Sequence, residues 1–139
     1  GDASGLSEDF TDVTSADWFE DWIKVAQDED VARTRDFGGY LFPNASCTRG
    51  QLAVYIARAL GLTTYSYTID FTDVDHDDYY AYAISLLSDE DNAVDVPYDD
   101  DDDLIPVIEG YSDNTFRPDN SISRDEALTM VYRAYLIYK

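Results

Sequence analysis

The chain has 139 residues, 45% of them apolar and 14% aromatic, with 30 Asp and Glu against 9 Lys and Arg for a formal net charge of -21. That length gives one compact domain or two half-domains sharing a core, and the apolar content is too high for a disordered acidic tail. The charge repels nucleic acid and anionic membrane, no apolar stretch is long enough to insert in a bilayer, and the lone Cys47 excludes an intramolecular disulfide or a cysteine zinc cluster.

Residues 1–8 read as an N-terminal tail without a basic segment followed by an apolar one, so a secretory signal is absent or already removed. Phe10-Thr11-Asp12-Val13 then opens a unit that recurs from Phe71-Thr72-Asp73-Val74. The offset is 61 as far as Asp30 and 75 from Pro43 onward, so 75 minus 61 leaves 14 extra residues in the second copy, between Asn92 and Gly110. The first copy spans 9–62, a linker 63–69, and the second copy 70–139 with an acidic insertion near 95–108. Such a unit buries its apolar face against its copy rather than alone.

Each copy reads as helix, loop, helix. In the first, Trp18, Trp22, Val25 and Ala26 fall at helical spacing after Asp12-Val13-Thr14-Ser15, which predicts that both tryptophans face inward. Asp12, and its repeat Asp73, are expected to cap these first helices or to bind turn amides. Gly38-Gly39-Tyr40-Leu41-Phe42-Pro43 is a turn-rich connection whose Leu41 plugs the core. Thr48-Arg49-Gly50-Gln51 is a capping-box start for a second helix striped by Leu52, Ile56, Ala59 and Leu60 and ended by Gly61. Cys47 stands where the second copy has Ile122, and reads as a small apolar residue.

The second copy repeats this plan with Tyr79, Ala83, Ile84 and Leu87, then Phe116 as the plug, then the capping box Ser123-Arg124-Asp125-Glu126 ahead of Leu128, Val131, Tyr135 and Leu136. The insertion reads as a loop excursion outside the core. Its run Asp99 to Asp103 offers Asp99, Asp101 and Asp103 as weak calcium candidates, but it lacks the alternating ligands, Gly and distant Glu of an EF-hand, and a solvated loop is the plainer reading. The whole predicts an all-α protein, two helix-loop-helix repeats packed as a small helical bundle with long ordered loops.

Gly110-Tyr111-Ser112-Asp113-Asn114-Thr115-Phe116-Arg117-Pro118 and Ser123-Arg124-Asp125-Glu126, with both Phe-x-Asp-Val starts and Thr48-Arg49, make the chain resemble the S-layer homology family. The loop Thr34-Arg35-Asp36-Phe37-Gly38-Gly39 departs from that pattern, and two repeats stand where the family usually has three. The resemblance implies an extracellular module at the cell surface, cell wall or S-layer. It would anchor secreted proteins by binding wall polysaccharide, often pyruvylated, or peptidoglycan-linked groups, with the Arg of the helix-start motif as the recurrent contact.

Physical chemistry supplies a parallel reason. Arg49 and Arg124 occupy the first turns of helices, where unpaired amides and the helix dipole favour an anion and a guanidinium adds a planar fork for a carboxylate. Asp17 or Asp113 and Asn114 would add sugar hydrogen bonds, Glu126 joins the candidate ligand-binding set, and Trp18, Trp22 or Tyr79 would offer faces for stacking. The opposing reading pairs each arginine with a nearby carboxylate at the surface. His76 is the only histidine and no nucleophile-base pair is evident, so a non-catalytic role is expected, without a cofactor unless calcium binds. The alternative to wall anchoring is a self-assembling subunit, a homo-oligomer of a surface layer or filament joined through the same binding grooves or through Tyr132, Tyr135 and Tyr138. Asn44-Ala45-Ser46 fits a glycosylation sequon and is read as coincidence.

Overall fold

A computed structural model describes residues 9–64, 67–89, 94–95 and 104–138. Among the described residues four α-helices carry the fold: α1 (Glu20–Asp28), α2 (Arg49–Ala59), α3 (Ala81–Ser88) and α4 (Arg124–Tyr138). A 3-10 turn covers Thr34–Phe37, and a two-residue antiparallel ladder pairs β1 (Val94–Asp95) with β2 (Leu104–Ile105). The mainly helical class therefore holds, with a small ladder that a two-residue signal could not announce.

Packing divides the chain into Gly1–Ala45 and Ser46–Lys139. In the second unit, α2 packs along α3 and also meets α4. The second helix of copy one thus sits against the first helix of copy two. Ala53, Ile56 and Ala57 of α2, Ala81, Ala83, Ile84 and Leu87 of α3, and Met130 and Ala134 of α4 share a core with Phe116, Val107 and Ile108. Small residues at the α2–α3 seam let the helices approach closely. A Cβ on Gly50 would lie 2.8 Å from the Tyr80 ring and 3.2 Å from Pro118. Val107 and Ile108 are fully buried, so the insertion is not merely an excursion: its returning end reaches the core.

The first unit is built differently. Phe10 and Ala32 are buried, but α1 buries none of its side chains. Trp18 and Trp22 are both largely exposed, as is Val25, contrary to the inward orientation expected from helical spacing. Spacing fixes that such residues share a face; only a neighbouring element can cover it.

Both helix closures follow from backbone chemistry. Gly61 at φ 70° ends α2, and the Leu62 N–H reaches the Ala57 carbonyl at 2.9 Å. After α1 the left-handed residue is Asp30, at φ 61°, and the Val31 N–H reaches the Ala26 carbonyl at 2.8 Å.

Candidate functional site

The helix starts are positioned by a clamp that both copies share. In copy one the Asp12 carboxylate accepts from the Leu41 and Phe42 amides, each at 2.8 Å; in copy two Asp73 accepts from Phe116 and Arg117, again at 2.8 Å each. The second amide of each pair belongs to a residue in the left-handed region, Phe42 at φ 57° and Arg117 at φ 60°. Two amides aimed at one carboxylate offset the strain of that conformation. Of the two sequence expectations for Asp12 and Asp73, the turn amides are the ones met, those of the plug loop rather than of the first helix. The paired N–H groups hold the Asp12 carboxyl below the usual carboxylate range.

A second shared bond ties the loop down. Thr11 donates its N–H to Gly39 O at 2.9 Å, and Thr72 donates to Asn114 O at 3.0 Å. The drifted loop of copy one, now a 3-10 turn ending at Gly38 with φ 66°, keeps this backbone bond although its side chains differ. The plugs differ in depth: Phe116 is fully buried, whereas Leu41 is only half-buried.

Beyond each loop the capping hydroxyl starts the second helix. Thr48 and Gln51 complete a capping box, with Gln51 N–H to Thr48 Oγ1 at 3.1 Å and Thr48 N–H to Gln51 Oε1 at 3.0 Å. Ser123 Oγ accepts from the Glu126 N–H at 3.4 Å, a longer version of the same bond. The Ser123 hydroxyl also holds the Asp125 carboxyl below its ordinary range.

The two motif arginines have opposite fates. Arg49 is buried: its Nε donates to Phe116 O at 2.9 Å, Nη2 to Glu109 O at 3.3 Å and Nη1 to Glu126, while its guanidinium lies 4.6 Å from the Phe116 ring centre and 4.9 Å from that of Tyr111. It fastens the start of α2 to the loop and helix of the next copy. Arg124 is exposed, with no ion pair among the described residues.

The other predicted residues fall around these two. Glu126 partners Arg49 rather than standing free. Asp113 accepts from the Thr115 hydroxyl at 2.6 Å and its amide at 3.2 Å, and meets Arg117 Nη2 at 3.4 Å; the Thr115 hydroxyl first, then its amide and Arg117, keep its carboxyl below the usual range. Asn114, at φ 65°, uses its carbonyl on the Thr72 amide and hydroxyl. Tyr79 keeps a largely exposed ring, and burial pushes its phenol up while hydrogen bonds to Gln51 and Thr48 act the other way. Trp18 stands in the first unit, edge-on to Phe19 with centroids 5.5 Å apart. Asp17 turns back on the Thr14 amide at 2.9 Å. Asp99, Asp101 and Asp103 lie outside the described residues.

Sequence reasoning missed the stack of Arg117 on Tyr111, 3.8 Å from cation to ring centre, and the carbonyl of Glu109 as an Arg49 partner. Gly50 was the available signal for Arg49. A side-chain-free residue beside the arginine marks a closely packed helix start, where copy two has Asp125.

The sequence profile of the S-layer homology domain matches residues 107–128, the stretch that contains the Asp73-clamped loop and the start of α4. Among similar proteins, an amylopullulanase of Thermoanaerobacterium thermosulfurigenes is 29% identical over 126 residues, covering 91% of this chain and 6% of that one. A cellulosome-anchoring protein of Acetivibrio thermocellus is 30% identical over 100 residues, 69% of this chain and 19% of that protein. A surface layer protein of Brevibacillus choshinensis is 28% identical over 103 residues, 71% of this chain and 8% of the other. The chain thus corresponds to a small part of each relative. With the profile match on the clamped loop and the hydroxyl-Arg helix start, residues 107–128 are an S-layer homology segment, and most of the chain is similar to surface-layer and anchoring proteins.

Proposed function

We propose that the chain is a non-catalytic module that fastens its parent protein to the bacterial cell wall, binding a wall glycan or a peptidoglycan-linked group through Arg124. The S-layer homology segment and the similarity to surface layer and cell wall proteins set it at the cell surface or cell wall. The names of similar proteins run the same way, since surface layer, middle cell wall and cellulosome-anchoring proteins carry related segments. An amylopullulanase shares the segment over only 6% of its length, as suits an attachment module separate from catalysis.

The observation that carries the reading is the divergence of two arginines at one motif position. Arg49 spends its donors on Phe116, Glu109 and Glu126, whereas Arg124 is exposed at the first turn of α4. Its guanidinium can take a carboxylate, such as a pyruvyl ketal, on two parallel N–H bonds while the first-turn amides favour the same charge.

Retention on purified cell-wall sacculi tests this. Wild type is expected to be retained, Arg124→Ala to fall about tenfold or more, and Arg124→Lys to lie between, because lysine keeps the charge and loses the fork. Equal retention of Arg124→Ala would sink the reading. Sacculi stripped of attached polysaccharide separate a glycan ligand, whose removal abolishes binding, from a peptidoglycan one.

A further inference from the structure

The loop of copy one departs from that of copy two in a concerted way. Gly39 and Asn114 accept equivalent backbone bonds and Leu41 and Phe116 are the plugs, so the loops are in register there at the offset of 75. On either side of the plug copy one has Tyr40 and Phe42, where copy two has Thr115 and Arg117. The Tyr40 and Phe42 ring planes lie 22° apart with centroids at 5.6 Å, and Phe37, at the end of the 3-10 turn, meets Phe42 edge-on at 6.2 Å. Phe42 nevertheless stays 52% exposed and Tyr40 43% exposed. The backbone under Phe42 is costly: φ is 57°, rare for a bulky residue, and Pro43 favours extended backbone at the residue before it. The Asp12 clamp holds that conformation, as the Asp73 clamp holds Arg117, whose guanidinium lies over Tyr111. Each clamped loop therefore displays a planar group at its surface, a guanidinium in copy two and an aromatic pair in copy one. Strain that is held to display a side chain rather than to bury it points to a contact made there.

We propose that Tyr40 and Phe42 form a stacking platform for a neutral sugar ring, a contact of the first unit that is chemically distinct from the anion contact at Arg124. It rests on the wall-glycan reading for its class of ligand only. A pyranose with equatorial hydroxyls has a flat C–H face that matches an aromatic face, while its hydroxyls stay at the rim. Asn44 is exposed at that rim in sequence, in the turn that the Ala45 N–H closes on Phe42 O at 3.0 Å, and can serve such a hydroxyl. Neither ring offers a cation, and the chain carries -21, so an anionic sugar gains nothing on the platform. A protein partner fits poorly too. Rings of this kind bury about 150–250 Å² each when fully covered, so two half-exposed ones offer roughly 200 Å², against about 800 Å² per partner in a stable interface. The rings are already held by Phe37, by each other and by the clamp, so stacking a sugar on them costs little side-chain freedom.

Aromatic NMR spectra of the full chain, titrated with cellotetraose and with the β-1,4-linked tetramer of N-acetylglucosamine, test it. At least one of these neutral probes should shift the Tyr40 and Phe42 ring signals saturably, with a Kd on the order of 1 mM. Tyr40→Leu, which keeps an apolar side chain and loses the ring, and Phe42→Gly should each weaken binding about tenfold or more. Phe42→Gly should melt no lower than wild type, because glycine adopts φ 57° without strain. A clearly lower melting temperature would make the rings a packing unit and overturn the proposal. So would ring signals unmoved by either probe at about 20 mM, well above the expected Kd, or wild-type affinity in Tyr40→Leu. Broadening of the same signals with protein concentration alone would mean that a second copy covers the rings, and overturns it equally. Arg124→Ala should bind the probes as wild type does. Absent probe binding with Arg124-dependent sacculus retention removes this platform alone, whereas probe binding with retention indifferent to Arg124 removes the anion contact alone.

Discussion

Arg49 and Arg124 stand at the same place in the same repeat, one residue after the capping hydroxyl, and they do opposite things. Arg49 is buried and bound to the backbone of Phe116 and Glu109 and to the carboxylate of Glu126. Arg124 is exposed. The motif specifies a helix start with a guanidinium on its first turn; whether that guanidinium is buried depends on which elements pack beside it. α2 packs along α3, and Arg49 at its start reaches the clamped loop of copy two.

The sharpest way to break this contrast is Arg49→Ala. It removes three hydrogen bonds and two aromatic contacts at a buried position, and should cost about 2–4 kcal/mol by urea denaturation, below the top of the range for buried pairs because Glu126 is partly solvated. Arg49→Lys should recover less than half, since one ammonium cannot reach the same partners. A loss under 1 kcal/mol would show that the network is not structural.

Next in size is the clamp. Asp73→Ala orphans the Phe116 and Arg117 amides beside a fully buried aromatic, and should cost about 2–3 kcal/mol. Asp12→Ala, beside half-buried Leu41, should cost clearly less. Equal losses would mean that plug depth does not set the value of the clamp.

A third test uses pH. Asp12 and Asp113 have folded values below the ordinary 3.8, so the unfolded chain binds their protons more readily than the folded one does. Their stabilisation is complete above that value and is lost as pH falls through the lowered folded values. Thermal melts should therefore lose stability below about pH 4, and Asp12→Asn should flatten that slope. Melts unchanged down to about pH 2 would remove the carboxylates from the account.

The smallest expected effect is Arg124→Ala, within about 0.5 kcal/mol of wild type by the same denaturation, as for an exposed residue away from any network. A loss of stability comparable with Arg49→Ala would erase the contrast between the two helices and turn any loss of wall binding into a folding defect.

Much of the site was legible because its parts are local or repeated. The capping boxes need only a hydroxyl and a Gln or Glu three residues on, and Thr48-Gln51 forms in full. Asp12 and Asp73 were marked by recurrence, though their partners, about thirty and about forty residues away, are fixed by the return of the loop and not by spacing. Trp18 and Trp22 show the opposite limit, since a period locates a face but not what covers it.

The residues alone determine the duplication, the starts of α2 and α4, the left-handed closure after α2, and the acid-rich balance, all from short-range chemistry and counting. Tertiary structure decides the rest: that α2 belongs with copy two, that Arg49 is consumed while Arg124 is exposed, that Val107 and Ile108 reach the core, and that α1 keeps an open apolar face. Burial depends on which elements meet, and that is a property of the packed chain that equivalent sequences in two copies do not share.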